Sequence, residues 1–256
     1  AQGVANLLSD IVRFFPSPEY RECVGINRKT NEIFEAHHDF AAAKTAYVFK
    51  TMVDPFIGKY SFVKVCSGVL KGDDVLYNPE SDAEAKIGKI YTLSGNKPVE
   101  VQELFAGDIG AIAKLTSTKT GDTLSTKNTP VSYGRTEYSK PYTYMKYVVN
   151  NKGDEDKVSQ ALAKMMAEDV TLKVVNDSEN RQSLIYGMGD QHLEVTASKL
   201  AERYKVGIRL ETPKVAFRET IRKNSDVDTK YKKQSGGHGQ YGHVKMRFEP
   251  SGDLDT

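Results

Sequence analysis

The chain has 256 residues, a formal net charge of +2 and two cysteines. Since domains run about 100 to 150 residues, this length predicts roughly two domains with real cores. No apolar run approaches the ~20 residues of a membrane span and no signal-peptide layout is present, so we expect a soluble, cytoplasmic monomer without a membrane partner. Cys23 and Cys66 stand alone with no C-x-x-C motif, which argues against a disulfide scaffold and against a metal site.

The first predicted element is an amphipathic helix that ends at Pro16 and Pro18. Its apolar positions recur at helical spacing: Val4, Leu7, Leu8, Ile11, Val12 and Phe15. An apolar face needs a partner surface. Because this helix begins almost at the first residue, we expect that surface to lie in a part of the protein outside this chain.

The next segment, from about Thr45 to Val131, has the pattern of a small closed β-barrel. Short alternating runs recur between turns that contain glycine, and such spacing is typical of a barrel. The predicted strands are Thr45–Lys50, Tyr60–Cys66, Val75–Tyr77, Ile87–Leu93 and Ile109–Leu115.

A different pattern follows the barrel and predicts a ferredoxin-like domain. The elements are a strand at Tyr142–Val149, a helix at Asp154–Glu168 with Val158, Ala161, Leu162 and Met165 on one face, strands at Leu172–Val175 and Ser183–Met188, a helix carrying Leu193, Ala197, Leu200, Ala201 and Tyr204, and a strand at Gly207–Leu210. The order βαββαβ is that of the split βαβ sandwich. Val215–Ile221 then opens another element, and we expect the start of a third α+β domain that is truncated.

A possible guanine-binding motif, Asn151-Lys152-Gly153-Asp154, matches the N-K-x-D of P-loop GTPases. Its companion, the phosphate-binding G-x-x-x-x-G-K-[ST], is absent from the sequence. We interpret the tetrapeptide as a turn between a strand and a helix, for which Asn, Gly and Asp are ordinary residues. No catalytic motif is present either, so we expect no catalytic residue, no bound cofactor and no GTP hydrolysis by this chain alone.

A glycine-rich segment near the end of the chain carries the strongest functional signal. Gly237, Gly239 and Gly242 match G-x-G-x-x-G, but a dinucleotide site needs a preceding apolar strand and a following helix. Here a basic run, 230–233, precedes the glycines and a strand of alternating residues, 243–249, follows them. Kinase motifs are absent as well. What remains is a basic hairpin tip with tyrosines and a glutamine, a composition that suits RNA.

Taken in order, several motifs resemble one family over nearly the whole chain. They are Gly3-Val4 through Phe15-Pro16-Ser17-Pro18, Asp54-Pro55-Phe56-Ile57-Gly58-Lys59, Val65-Cys66-Ser67-Gly68-Val69-Leu70, Val158-Ser159-Gln160-Ala161-Leu162, Glu168-Asp169, Gly187-Met188-Gly189, His192-Leu193-Glu194, Pro213-Lys214-Val215-Ala216-Phe217-Arg218-Glu219-Thr220 and the 234–244 hairpin. The series resembles elongation factor G, the ribosomal translocase, from the final helix of its GTPase domain into the start of its fourth domain.

The resemblance implies a multidomain α+β fold with four parts. They are the last helix of a GTPase domain (1–20), a translation-factor β-barrel (21–136), a ferredoxin-like βαββαβ domain (137–212) and the truncated start of a third α+β domain with the hairpin (213–256). In the family the barrel packs on the GTPase domain and touches small-subunit rRNA. The resemblance also implies that GTP and Mg²⁺ belong to the missing domain.

Two groups of site residues follow from the same resemblance. The GTPase-domain interface is expected at Gly187, Met188, Gly189, His192 and Glu194, although a capping turn explains His192 and Glu194 equally well. The ribosome and RNA contacts are expected at Lys232, Lys233, Gly236, Gly237, His238, Gly239, Gln240 and Tyr241. In the family this hairpin enters the decoding site, so Gln240 is the candidate for contact with the tRNA–mRNA complex or rRNA.

The implied function is a central fragment of an elongation factor that promotes GTP-dependent translocation of tRNA and mRNA on the ribosome. Four positions depart from the family pattern: His238 replaces Arg, Asp190-Gln191 replaces Glu-Leu, Val170 replaces Pro and Lys64 replaces Arg. These departures favour a diverged paralogue or a lineage-specific factor, in which translocase activity does not follow from the resemblance. Two alternatives are a ribosomal-protection GTPase of tetracycline resistance, which generally lacks this hairpin tip, and a stand-alone RNA-binding barrel, which leaves the N-terminal helix unexplained.

Overall fold

A computed structural model describes residues 2–54, 58–95, 97–217, 221–234, 236–237 and 239–250. Two compact units divide the chain, Ala1–Pro213 and Lys214–Thr256. The first contains a β-barrel and an α+β domain, and the second contains a two-stranded hairpin. Within the described ranges, no helix has the length and apolar character needed to cross a membrane.

The predicted N-terminal helix is present as α1 (Val4–Phe14). It ends where the Phe15 amide donates to the Ile11 carbonyl at 3.0 Å, one residue before Pro16, whose ring cannot continue a helix. No residue of α1 is buried, and Leu7 and Leu8 are 59% and 58% exposed. The helix therefore carries the expected apolar face and exposes it. The partner surface that covers this face stays a prediction.

Thirteen strands form the barrel region among the described residues. They are β1 (Cys23–Asn27), β2 (Ile33–Ala36), β3 (Thr45–Asp54), β4 (Gly58–Ser67), β5 (Val69–Lys71), β6 (Val75–Asn78), β7 (Ala83–Lys86), β8 (Ile90–Ser94), β9 (Lys97–Val101), β10 (Glu103–Phe105), β11 (Ile109–Ala113), β12 (Thr123–Ser125) and β13 (Val131–Tyr133). All five predicted strands are found, as β3, β4, β6, β8 and β11. The fourth, β8, starts at Ile90, later than predicted. The Ile87 amide donates to the Asp74 carbonyl and the Ile87 carbonyl accepts from the Asp73 amide, so Ile87 pairs with the turn between β5 and β6.

One apolar core holds the barrel together. The main sheet has the order β7-β6-β12-β3-β4-β11-β8-β9, and residues from both of its ends, including Ala85 and Ile90, pack in the same cluster. In the described part of the chain no ladder joins β9 back to β7. The barrel is thus completed by core packing and by backbone hydrogen bonds from the 72–74 turn to Gln102 and Ile87, whereas the sequence pattern predicted a closed sheet.

A separate three-stranded sheet, β13-β1-β2, lies beside the barrel and was not predicted. Gly25 sits at its centre, opposite Tyr133 on one side and Phe34 on the other. A Cβ on Gly25 would lie 2.8 Å from the Ser132 carbonyl oxygen and 2.9 Å from the Tyr133 ring. Only glycine therefore allows the two strands to approach this closely.

The ferredoxin-like domain has the predicted element order. Its elements are β14 (Thr143–Val149), α2 (Glu155–Glu168), β15 (Lys173–Asp177), β16 (Gln182–Gly187), α3 (Asp190–Tyr204) and β17 (Ile208–Glu211). The sheet order is β15-β16-β14-β17, with every neighbouring pair antiparallel. The residues predicted for the apolar face of α2, namely Val158, Ala161, Leu162 and Met165, are its buried residues, and they pack against α3 and the sheet.

The buried face of α3 differs from the prediction at two positions. Leu193 and Leu200 are buried as expected, but Ala201 is exposed and Thr196 is buried in its place. The Thr196 hydroxyl donates to the His192 carbonyl one turn back at 2.8 Å. Because this bond satisfies the hydroxyl inside the helix, threonine can face the core at little cost.

The second unit contains β18 (Ser225–Gln234) and β19 (Gly239–Phe248), which pair antiparallel along their whole length from Ser225↔Phe248 to Gln234↔Gly239. Before β18, residues 215–217 form neither helix nor strand, and the remainder of the predicted element up to Ile221 lies largely outside the described residues.

Candidate nucleic-acid interface and domain-contact turn

The glycine-rich segment lies between two paired strands, and its role in RNA binding stays a prediction. Lys230–Lys233 belong to β18 and the alternating run after the glycines belongs to β19, so the segment is a hairpin tip between two antiparallel strands. No helix N-terminus follows the glycines among the described residues. The hairpin thus lacks the strand-to-helix geometry that holds a pyrophosphate.

The register of the hairpin divides the candidate contact residues between two faces. Lys232 lies opposite Tyr241, and Lys233 lies opposite Gln240. Directly opposed residues in an antiparallel pair point to the same side, and successive residues alternate. One face of the tip therefore presents an ammonium beside a phenol, and the other presents an ammonium beside a carboxamide.

Ion pairs occupy the base of the hairpin. The Asp228 carboxylate accepts a hydrogen bond from His243 and pairs with Lys245 at 3.0 Å. Arg247 pairs with Glu249 at 2.7 Å. These pairs are exposed and contribute little stability, but they compensate the cations at the base.

The cations nearer the tip are different. Among the described residues, no carboxylate lies within ion-pair distance of Lys230, Lys232 or Lys233. All three are exposed. The uncompensated positive charge of the hairpin is consequently concentrated at the end that carries the glycines, Gln240 and Tyr241.

One tip glycine has a backbone requirement. Gly236 has φ of 77°, in the left-handed region that favours glycine, whereas a Cβ on Gly237 would meet nothing within 4 Å. Gly239 and Gln240 begin β19 and are exposed. The candidate His238, like Ser235, lies outside the described residues.

The predicted domain-contact residues meet at the turn between β16 and α3. Gly187 ends β16, and a Cβ there would lie 2.7 Å from the Leu193 side chain and 2.9 Å from His192 Nδ1. Gly189 precedes α3 in extended backbone, where a Cβ would meet nothing within 4 Å. Gly187 is thus required by close packing, and Gly189 is not.

His192 is engaged inside this turn. Its Nδ1 accepts the Met188 backbone N–H at 3.0 Å, and its Nε2 lies 3.0 Å from Asp169 Oδ2. With Nδ1 as an acceptor, the neutral ring carries its proton on Nε2 and donates it to Asp169. The His192 side chain thus helps to hold the turn, and its place in a GTPase-domain interface stays a prediction.

Asp169 anchors that chain of hydrogen bonds. Burial raises its pKa, but hydrogen bonds from the Thr171 hydroxyl (2.6 Å) and amide (2.9 Å), with the nearby His192, outweigh burial and lower the pKa overall. The charged carboxylate is thus the form that the turn stabilises.

Two other residues at the turn remain available for contact. Met188 is 36% exposed and Glu194 is exposed on α3. The Glu194 side chain has no hydrogen-bond or ion-pair partner in the ranges that the structure describes. The candidate group therefore separates into His192, which holds the turn, and Met188 and Glu194, which face outward.

Sequence reasoning missed a junction between the barrel and the ferredoxin-like domain. Glu168 accepts the Val53 amide at 2.7 Å, and Arg203 donates to the Val53 carbonyl at 3.0 Å. Arg203 also forms two hydrogen bonds to Glu168, at 2.8 and 3.0 Å. No local pattern identifies these contacts, since the three residues lie far apart in the sequence.

The N-K-x-D tetrapeptide is a turn, as predicted. The Asp154 amide donates to the Asn151 carbonyl at 3.2 Å, and Gly153 has φ of 101°. The Asp154 carboxylate pairs with Lys157 at 2.8 Å. The tetrapeptide thus forms the turn that leads into α2, and the Asp154 carboxylate is engaged with Lys157 of that helix.

Comparison with known families agrees with this arrangement. The chain matches the family models of elongation factor G domain 2 at residues 43–127, domain III at residues 139–212 and domain IV at residues 213–255. It also resembles a crystal structure from Thermus thermophilus, with 30% sequence identity and a TM-score of 0.72. The alignment covers 98% of this chain and 35% of that one.

Proposed function

Because the chain belongs to the elongation factor G family over domains 2, 3 and 4, we propose that it supplies the ribosome-contacting part of a factor that promotes GTP-dependent translocation of tRNA and mRNA. The barrel contacts small-subunit rRNA, and the hairpin tip contacts the tRNA–mRNA complex or nearby rRNA. Its partners are the ribosome and a GTPase domain.

The charge distribution of the hairpin is the observation that carries this proposal. Carboxylates compensate the cations at the base, while Lys230, Lys232 and Lys233 have no such partner among the described residues. RNA phosphates attract uncompensated ammonium groups, and exposed Tyr241 and Gln240 can stack on or hydrogen-bond to bases. A hairpin built only as a spacer has no need for this separation of charge.

We do not propose that this chain binds or hydrolyses GTP. The sequence has no phosphate-binding G-x-x-x-x-G-K-[ST], and the guanine-like tetrapeptide 151–154 forms the turn that starts α2. These residues do not fit a nucleotide with its Mg²⁺. We therefore assign GTP and Mg²⁺ to a separate P-loop domain.

That GTPase domain docks on the turn between β16 and α3 in our proposal. Met188 and Glu194 are exposed there, and Val195 beside them is 48% exposed. Gly187 and His192 position the turn from inside it. The apolar face of α1, exposed in this chain, belongs to the same GTPase domain.

Ribosome binding at increasing salt tests the role of the hairpin. The 256-residue chain is sedimented with ribosomes across a KCl series, together with the double variants Lys232→Ala/Lys233→Ala and Lys245→Ala/Arg247→Ala. Both variants lose two charges from the same hairpin, so net charge is matched.

Only the tip variant should bind more weakly, and its log-log salt dependence should flatten by about 1.5 units for two lost phosphate contacts. The base variant should bind as the parent does, because its cations are already paired. Equal weakening of both variants would mean that binding follows net charge alone. Unchanged binding of the tip variant would remove the hairpin from the ribosome contact.

A further inference from the structure

The two cysteines of the chain lie against each other in the fold. Cys23 opens β1 of the three-stranded sheet and Cys66 lies near the end of β4 in the barrel sheet. Cys66 belongs to a buried cluster with Ala36, Val131 and Tyr133, and Cys23 packs on that cluster. The contact therefore spans two sheets that no ladder joins within the described residues.

A β-bulge directs Cys66 toward this contact. In the pairing of β3 with β4, Thr45 opposes Ser67 and Ala46 opposes Val65, so Cys66 is the extra residue of the bulge. Val65 faces the barrel core. Cys66 is directed away from that core, to the side where the three-stranded sheet packs.

The two thiols have unequal environments. Cys23 is partly exposed, whereas Cys66 is buried. The Cys66 thiol, which donates to the Lys64 carbonyl oxygen at 3.7 Å, also interacts with Cys23. This interaction, with Lys64 and Arg21 nearby, outweighs partial burial and lowers the pKa of Cys23 to about 6. The same interaction with Cys23 and deep burial raise the pKa of Cys66. Such an arrangement pairs an accessible thiolate with a protonated thiol in contact with it.

We propose that Cys23 and Cys66 form a thiol oxidation site for small hydroperoxides, which closes reversibly into a disulfide between the three-stranded sheet and the barrel. Cys23 is the peroxide-reacting residue and Cys66 is the resolving residue. This inference concerns the barrel alone and does not depend on the proposed ribosomal function.

The reaction balances in two steps. The Cys23 thiolate attacks one peroxide oxygen, so that an S–O bond forms, the O–O bond breaks, and the departing hydroxide takes a proton to leave as water. The Cys66 sulfur then attacks the Cys23 sulfenic sulfur; the S–S bond forms, the S–O bond breaks, and the hydroxyl leaves as water with the Cys66 proton. Two thiols lose two electrons, and hydrogen peroxide becomes two waters.

The contact geometry favours the intramolecular product. Cys23 packs on the buried cluster that contains Cys66 and interacts with its thiol, and the chain contains no third cysteine. Further oxidation of the sulfenic acid competes poorly when a resolving thiol is already in place.

Intact mass and thiol counting test the product. The reduced chain is treated with stoichiometric hydrogen peroxide and compared with Cys66→Ser and Cys23→Ser. The parent should lose two hydrogen atoms and both free thiols, remain monomeric, and regain both thiols with dithiothreitol. Cys66→Ser should stop at a sulfenic acid that dimedone traps. Cys23→Ser should keep its Cys66 thiol. A disulfide-linked dimer, or a parent that gains oxygen without losing hydrogen, would overturn the proposal.

A second measurement tests whether the Cys66 thiol lowers the pKa of Cys23, and it needs no oxidant. The rate of Cys23 alkylation by iodoacetamide is followed against pH in the parent, in Cys66→Ala and in the urea-unfolded chain. The pH midpoint, rather than the absolute rate, is the useful quantity, because a low-pKa thiolate is also a weaker nucleophile.

The parent midpoint should lie well below the ordinary value of about 8.5, and loss of the Cys66 donor should move it upward by at least about one pH unit. Cys66→Ala must retain the circular dichroism of the parent for this comparison. A parent midpoint equal to that of the unfolded chain would show that the two thiols do not interact, and would sink the proposal.

Discussion

Arg203 of α3 and Glu168 at the end of α2 together form hydrogen bonds with the backbone amide and carbonyl of Val53 in the barrel. The guanidinium makes two hydrogen bonds to the carboxylate, which in turn accepts the Val53 amide, and it donates a third bond to the Val53 carbonyl. The Glu168 side chain is 19% exposed and that of Arg203 is 34% exposed. This three-residue junction joins the two domains of the first unit.

The Val53 amide provides a direct probe of the junction. Because that N–H is bonded to Glu168 rather than to the neighbouring strand, Glu168→Ala should speed its hydrogen exchange by about tenfold, the equivalent of one hydrogen bond to a charged group. Arg203→Lys should give a smaller increase, since an ammonium cannot reproduce the planar fork. Lys157→Ala, which removes an exposed ion pair elsewhere on α2, is the control. If the Val53 amide exchanges at the parent rate in Glu168→Ala, the junction does not hold in solution.

The two glycines of the Gly-Met-Gly turn should respond differently to alanine. Gly187→Ala places a Cβ within 2.9 Å of both the Leu193 side chain and His192 Nδ1, so we expect it to lower the free energy of unfolding by about 1–3 kcal/mol. Gly189→Ala adds the same atom where nothing lies within 4 Å and should be close to neutral. Urea unfolding followed by circular dichroism measures both variants. Equal effects would contradict the packing role assigned to Gly187.

The stability of this turn should depend on pH through Asp169. Its pKa is lowered in the folded state, so its contribution is present above the unfolded pKa of about 3.9 and is lost as pH falls through the lower folded value. The parent should therefore be more stable than Asp169→Asn at about pH 7 and pH 5, and the difference should shrink as pH falls below about 4. Asp10→Asn changes an exposed carboxylate on α1 and serves as the control. A difference that is independent of pH would mean that the charge of Asp169 is not the source of its effect.

The periodicity of apolar residues was sufficient to predict buried residues where an element packs a single face on a core. The four buried residues of α2 follow helical spacing and were predicted individually. The same spacing misplaced Ala201, because periodicity counts apolar residues and did not anticipate that Thr196 can bury a hydroxyl bonded to its own helix. The longer barrel strands were found for the same reason, since their alternation is sustained.

Contacts between distant segments were beyond the reach of such patterns. Strands β1 and β2 are short, and Gly25 interrupts the alternation of apolar residues in the first. The Cys23–Cys66 contact depends on that unpredicted sheet and on a bulge in β4. In the hairpin, composition predicted exposed cations, but only the register shows that acids compensate those at the base and that the tip residues divide between two faces.

Amide exchange should be faster in the hairpin than in the barrel. Both strands of the hairpin are exposed along their length, apart from a half-buried Gly242, and a two-stranded ribbon alone is marginally stable in water. Cross-strand amides of β18 and β19 should therefore lose protection well before those of β3 and β4 in one hydrogen-exchange experiment. Protection equal to that of the barrel would show that the hairpin is stabilised by contacts that its exposure does not reveal.

Substitutions on the two faces of the hairpin tip should affect ribosome binding and mRNA movement separately. In a full-length factor that carries this segment, Gln240→Ala removes a neutral hydrogen-bonding group and leaves both neighbouring cations in place. Ribosome binding and ribosome-stimulated GTP hydrolysis should then stay near the parent level, because phosphate attraction is unchanged and our proposal assigns the nucleotide to another domain. Translocation should slow by about tenfold if one hydrogen bond worth ~1.4 kcal/mol is lost from the transition state.

The control is the opposite face of the same tip. Lys232 and Tyr241 share that face, so Lys232→Ala should weaken binding at moderate salt while translocation at saturating factor stays close to the parent rate. Rapid-mixing kinetics of mRNA movement, read beside sedimentation, distinguishes the two effects. A parent-like rate in Gln240→Ala would make the tip a spacer whose cations alone matter. A full-length parent that binds ribosomes without moving mRNA would instead assign this family member to another ribosomal task.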